Sequence, residues 1–89
     1  MEKSPRQWVV YILECGDGSL YTGITNDLQN RIQAHENGLG AKYTKGRGPL
    51  ILRYQEDCPN RSVASKRELE VKQFTRLEKL ALISNVEVC

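Results

Sequence analysis

The amino-acid sequence predicts an α+β fold, a three-stranded antiparallel sheet flanked by helices in the order β-β-α-β-α-α. Three observations predict it. Trp8 to Cys15 is an apolar, β-branched run that reads as a strand buried on both faces. Gly16-Asp17-Gly18 follows as a turn signal, with a second strand-like run from Leu20 to Thr25 behind it. The rest of the chain carries helix caps and helical spacing around one further strand.

Each element has a local reason. Asn26 or Thr25 is suited to cap a helix that begins near Asp27. In that helix Leu28 and Ile32 point one way, while Arg31 and His35, one turn apart, share another stripe. Gly38 and Gly40 are placed to stop it. A glycine-rich basic loop follows at 38–48. Pro49 opens a third strand, Leu50 to about Glu56, and Pro59-Asn60 breaks it. Ser62 is a candidate cap for the second helix. Thr75-Arg76-Leu77-Glu78 has the spacing of a capping box, so a third helix starts there and runs through Leu80, Leu82 and Ile83.

The first hairpin has two possible registers. A two-residue Asp17-Gly18 turn puts Tyr11 and Tyr21 on opposite faces. A three-residue loop ending with Gly18 in the left-handed region pairs Cys15 with Ser19 and Tyr11 with Gly23. Side chains alternate with period two, so this register gives both tyrosines one face and lays the Tyr11 ring over Gly23. We expect the bulged register.

Length and composition set the outer limits. With 89 residues the chain is expected to be one domain, residues 1–89, with its core at about 7–84. Hydrophobic residues are 39% and charged residues 27%, which argues against a disordered chain. The longest apolar run, Trp8 to Leu13, is too short to span a membrane. Cys15, Cys58 and Cys89 are widely spaced, and read as reduced thiols in a cytoplasmic protein. Residues 1–36 hold three basic and five acidic side chains, a charge of −2; residues 37–79 hold ten and five, or +5. Lys42, Lys45, Arg47 and Arg53 lie in a stretch without acids, a local patch able to attract polyanions.

Common catalytic motifs are absent. The sequence holds no phosphate-binding G-x-x-x-x-G-K-[ST] loop and no G-x-S-x-G elbow, and His35 is its one histidine. What remains is two tyrosines on a hairpin, Arg31 and His35 on one helix stripe, and acids on the second helix.

Taken in order, Val9-Val10-Tyr11, the run Gly18-Ser19-Leu20-Tyr21-Thr22-Gly23-Ile24-Thr25, Arg31 and His35, Gly40-Ala41-Lys42-Tyr43-Thr44 and Lys66-Arg67-Glu68 resemble the GIY-YIG nuclease family, in the form of a small stand-alone GIY-YIG protein. The resemblance covers roughly residues 7–84. Two departures stand out: Val9 replaces the first glycine of the motif, and the region after Glu68 lacks the asparagine that many members carry.

The resemblance implies metal-dependent hydrolysis of DNA phosphodiesters, by nicking or structure-specific cleavage, in DNA repair or recombination. Arg31 is then the fork that holds the charged phosphate. Glu68 is the metal carboxylate for one Mg²⁺ or Mn²⁺ ion, because such ions keep several waters and need few protein ligands. Read without the resemblance, Glu68 is a helix-surface acid paired with Lys72 at i+4. Tyr11 is the implied proton-transfer residue and Tyr21 its positioning partner, with cations nearby favouring the phenolate. His35 faces the same cleft, to bond a tyrosine or the phosphate. Lys42, Lys45 and Arg47 would track the DNA backbone, and Tyr43 would pin their loop to the core. So small a chain has little surface for reading bases, which leaves room for a protein partner that supplies specificity. A catalytically weak DNA-binding module and a protein-interaction adaptor of the same fold are the rival readings.

Overall fold

The computed structural model describes residues 8–39, 46 and 48–88, with side chains up to residue 84. The elements are β1 (Trp8–Glu14), β2 (Leu20–Thr25), α1 (Leu28–Glu36), β3 (Ile51–Cys58), α2 (Arg61–Lys72) and α3 (Arg76–Val88). The three strands form one antiparallel sheet in the order β2-β1-β3. The apolar run in β1 explains its central place. Val10, Tyr11, Ile12 and Leu13 are all fully buried, because helices cover both faces of the sheet.

One face carries Tyr11, Leu13, Cys15 and Leu50 against Leu28 and Ile32 of α1. The other carries Ile12 and Tyr54 against Val71 of α2 and Ile83 of α3, with Val10 and Cys58 against Ala64. Cys15 and Cys58 are buried free thiols. Burial and the nearby Glu56 push the Cys58 thiol pKa up, which makes it unreactive.

The hairpin adopts the bulged register. Tyr11 pairs with Gly23 and Glu14 with Leu20. Gly18 has φ 87°, its N–H donates to the Cys15 carbonyl at 2.9 Å, and the Cys15 N–H donates to Ser19 O at 2.8 Å. The turn is also a packing surface. A Cβ on Gly16 would lie 2.3 Å from the carbonyl oxygen of Gly48, so only glycine lets the turn meet the backbone that leads to β3.

The helix boundaries correct three local expectations. Asp27, not Asn26 or Thr25, caps α1, accepting from the Asn30 N–H at 3.3 Å, while Thr25 Oγ1 accepts from the Asp27 N–H. Asn60, not Ser62, caps α2, accepting from the Val63 N–H at 3.0 Å. The cap must sit one residue before the first helical residue, and α2 starts directly after the strand break. β3 runs from Ile51 to Cys58, two residues past Glu56, because Trp8 pairs with Cys58. The capping box forms as expected, with Thr75 N–H on Glu78 at 2.8 Å and Glu78 N–H on Thr75 at 3.1 Å. α1 ends at Glu36, and Gly38, φ 77°, turns the chain so that the Leu39 N–H reaches back to Ala34 O, while Gly40 lies outside the described residues.

Candidate active site

The site grows out of the hairpin register. Because Tyr11 faces Gly23, its ring leans across the neighbouring strand. A Cβ at Gly23 would lie 2.6 Å from the Tyr11 hydroxyl, 2.7 Å from Cζ and 3.1 Å from the Tyr21 ring. Glycine is therefore the residue that lets the two phenols share this face. α1 closes over them. His35, 1% exposed, sets Nε2 2.9 Å from the Tyr11 hydroxyl. The Tyr21 and His35 rings meet edge-on with centroids 5.3 Å apart, and the Tyr11 and Tyr21 centroids are 6.3 Å apart.

Arg31 precedes His35 by one turn and reaches the same cluster. Its guanidinium lies near enough to the Tyr11 hydroxyl to pull the phenol's pKa down. Its Nε is buried without a hydrogen-bond partner. A buried guanidinium nitrogen left unpaired is costly, so the group is set up for an acceptor that comes from outside the protein.

The electrostatics follow from burial. The Tyr11 pKa is raised, because burial disfavours the phenolate and Tyr21 and Glu68 add to this, outweighing the opposing pull of Arg31. Arg31 favours the phenolate as expected, but burial outweighs it. The His35 pKa is lowered by burial and by the Arg31 charge, so the imidazole rests neutral.

Glu68 lies on α2, which packs across the sheet against all three strands. Its charge reaches Tyr11. Its Oε2 also accepts from Lys72 Nζ at 3.1 Å, so the helix-surface pairing forms as well. Among the described residues no group of three or more His, Cys, Asp or Glu could hold a metal ion. The residues brought together are thus Tyr11, Tyr21, Gly23, Arg31 and His35, with Glu68 within electrostatic reach. Lys42, Tyr43, Lys45 and Arg47 lie outside the described residues.

Sequence reasoning passed over two contacts that frame the site. Gly16 meets Gly48, and Arg76 Nη1 donates to the Gly18 carbonyl at 2.8 Å, tying the start of α3 to the hairpin turn. Both join residues far apart in the chain. Their one local signal is a turn glycine that looks like any other.

The sheet thus carries a phenol–imidazole–guanidinium cluster on one face, with one carboxylate within electrostatic reach of it. The chain belongs to the GIY-YIG family: the GIY-YIG catalytic domain matches residues 7–81, and this is a domain of the GIY-YIG nuclease superfamily. The chain is 56% identical over 79 residues to a UPF0213 protein of Clostridium perfringens, covering 89% of this chain and 85% of that one. It is 54% identical over 77 residues to a UPF0213 protein of Oceanobacillus iheyensis, covering 86% and 90%. Two solution NMR structures share the fold. A UPF0213 protein from Bacillus halodurans is 49% identical, with TM-score 0.57, covering 88% of this chain and 83% of that one. A protein from E. faecalis is 34% identical, with TM-score 0.66, covering 100% and 94%. Among the described residues no helix is long and apolar enough to cross a membrane.

Proposed function

We propose that this protein is a divalent-metal-dependent endonuclease that hydrolyses DNA phosphodiesters, nicking or cleaving branched or damaged DNA in repair or recombination. The observation that carries this reading is the buried Arg31 Nε without a partner, beside a phenol bonded to a neutral imidazole. A guanidinium N–H of this kind suits an oxyanion, and the phenol–imidazole pair beside it is able to carry a proton.

Arg31 holds the phosphate oxygens and stabilises the charge that grows as water attacks. Tyr11 sits between the attacking water and His35. With the proton of the neutral ring on Nδ1, His35 Nε2 accepts from the Tyr11 hydroxyl. As the water oxygen bonds to phosphorus, the phenol oxygen receives the water's proton and passes its own to His35 Nε2, while the opposite phosphorus–oxygen bond breaks and the departing alkoxide takes a proton from solvent. This route avoids the free phenolate that burial penalises. Tyr21, edge-on to His35, keeps the imidazole aligned.

The donor set fits one hard cation. Glu68 offers a single carboxylate, 20% exposed, at the edge of the cluster, and Mg²⁺ takes one or two carboxylates while keeping several waters. Glu68 would hold the ion, which when bound supplies further positive charge to the phosphate. Lys42, Lys45 and Arg47 supply sequence-independent attraction to the DNA backbone. A protein partner would add the specificity that so small a surface lacks.

The test is cleavage of a panel of branched and linear DNAs in Mn²⁺ by the native protein, Arg31→Ala and Glu68→Gln. Both variants should lose cleavage while Glu68→Gln keeps binding DNA. Cleavage that survives both changes overturns the reading. DNA binding with no cleavage by the native protein would leave a binding module instead, and binding that is flat across a salt titration would point to an adaptor.

A further inference from the structure

Glu68 carries two readings in the sequence, a partner for Lys72 and a ligand for a hard cation, and the structure sets both on the same carboxylate. Lys72 Nζ lies 3.1 Å from Glu68 Oε2. The Glu68 side chain is only 20% exposed and the Lys72 side chain 48%, so the carboxylate is held in the body of the protein and the ammonium reaches it from the solvent side. The same carboxylate is the smallest of the influences that act on the Tyr11 pKa, so it lies within electrostatic range of the phenol cluster.

We propose that Lys72 is a tethered counter-cation of this carboxylate, occupying Oε2 until a divalent ion displaces it. The proposal rests on the assignment of Glu68 as metal carboxylate. A hard cation binds through anionic oxygen. An ammonium 3.1 Å from Oε2 occupies one of the directions an ion would use and adds a like charge beside it. A partly exposed i,i+4 pair is weak, so Lys72 handicaps the ion rather than excluding it. A bound phosphate reverses the handicap, because it brings further oxygens to the ion and negative charge to the site. Ion and DNA therefore bind with positive coupling, and each raises the affinity of the other by the same factor.

The experiment measures Mn²⁺ binding to the full chain at low ionic strength without DNA, from the electron paramagnetic resonance signal of the free ion. Native protein is compared with Lys72→Gln, Glu68→Gln and Lys66→Gln. Lys66 is an exposed lysine on the same helix, so its variant makes the same change in net charge elsewhere. Lys72→Gln should bind Mn²⁺ about two- to fivefold more tightly, Lys66→Gln should change it by less, and Glu68→Gln should lose the site. Unchanged or weaker binding in Lys72→Gln, or equal tightening in Lys66→Gln, overturns the counter-cation while leaving the nuclease reading intact. Mn²⁺ binding that survives Glu68→Gln removes the metal assignment itself, and the counter-cation with it.

Discussion

The sheet carries a tyrosine–arginine cluster on each face, and the two are completed differently. On the α2 and α3 face the Tyr54 hydroxyl donates to Glu56 at 2.5 Å. Arg67 bonds Glu56 through Nε at 3.1 Å and Glu70 through Nη1 at 3.0 Å, and lies over the Phe74 ring. Every charge there has an opposite within the protein, and the Arg67 pKa rises because Glu70 and Glu56 hold its proton. On the α1 face Arg31 lies beside a phenol, and among the described residues it faces no carboxylate at hydrogen-bond distance and its Nε has no partner. The first cluster is closed and serves the fold. The second leaves its guanidinium without a bonded carboxylate, and the proposed phosphate contact rests on that difference.

Four measurements break or sharpen this contrast. The largest effect is expected at the arginines. Arg31→Ala should lower the cleavage rate by about a hundredfold or more with little change in melting temperature. Arg67→Ala should cost about 1 kcal/mol of stability and leave the rate per folded molecule unchanged. Equal loss of cleavage in both would erase the distinction between the faces.

The tyrosines come next. Tyr11→Phe removes the proton path to His35 and should cut cleavage by about a hundredfold. Tyr54→Phe should cost about 1 kcal/mol, read in a urea titration, with cleavage retained. Between these lies Gly23→Ala, whose methyl would collide with Tyr11. It should destabilise by about 1–3 kcal/mol and lose cleavage as the Tyr11–His35 bond opens. A fully active Gly23→Ala would show that the close packing is dispensable.

The smallest effect is in pH dependence. The His35 pKa is lowered by burial, so the unfolded chain binds a proton that the native state resists. The stability this group contributes is fully present above about pH 6.5 and is lost as pH falls from there through the lowered native pKa. Tyr11 is raised, and Tyr54 is pushed up to about 12 from 10.0 by burial and Glu56. Their contribution is present below pH 10.0 and is lost as pH rises from there through their raised native values. His35→Gln should flatten the acid limb of a stability–pH curve and leave the alkaline limb in place. Tyr54→Phe should reduce the alkaline limb alone.

Local rules made much of the fold legible. The Gly18 turn set the register that joins the tyrosines, and the Thr75–Glu78 box set the start of α3. Where two side chains could serve as a cap, at Thr25–Asp27 and at Asn60–Ser62, the choice depended on where the preceding strand ended, which is a tertiary fact. On the α1 face, period-two and i,i+4 spacing are enough to unite Tyr11, Tyr21, Arg31 and His35. The opposite cluster was illegible because Tyr54, Glu56 and Arg67 come together only once α2 folds back on β3. The direction of the Tyr11 shift was hidden too, since it depends on how dry the cluster is rather than on which residues form it.

The meeting of Gly16 with Gly48 has a practical corollary for anyone who modifies this protein. The hairpin tip looks like an ideal place to insert a tag or graft a loop, being short, polar and rich in glycine. It is instead a backbone-to-backbone joint, so lengthening it would push apart two segments that converge there.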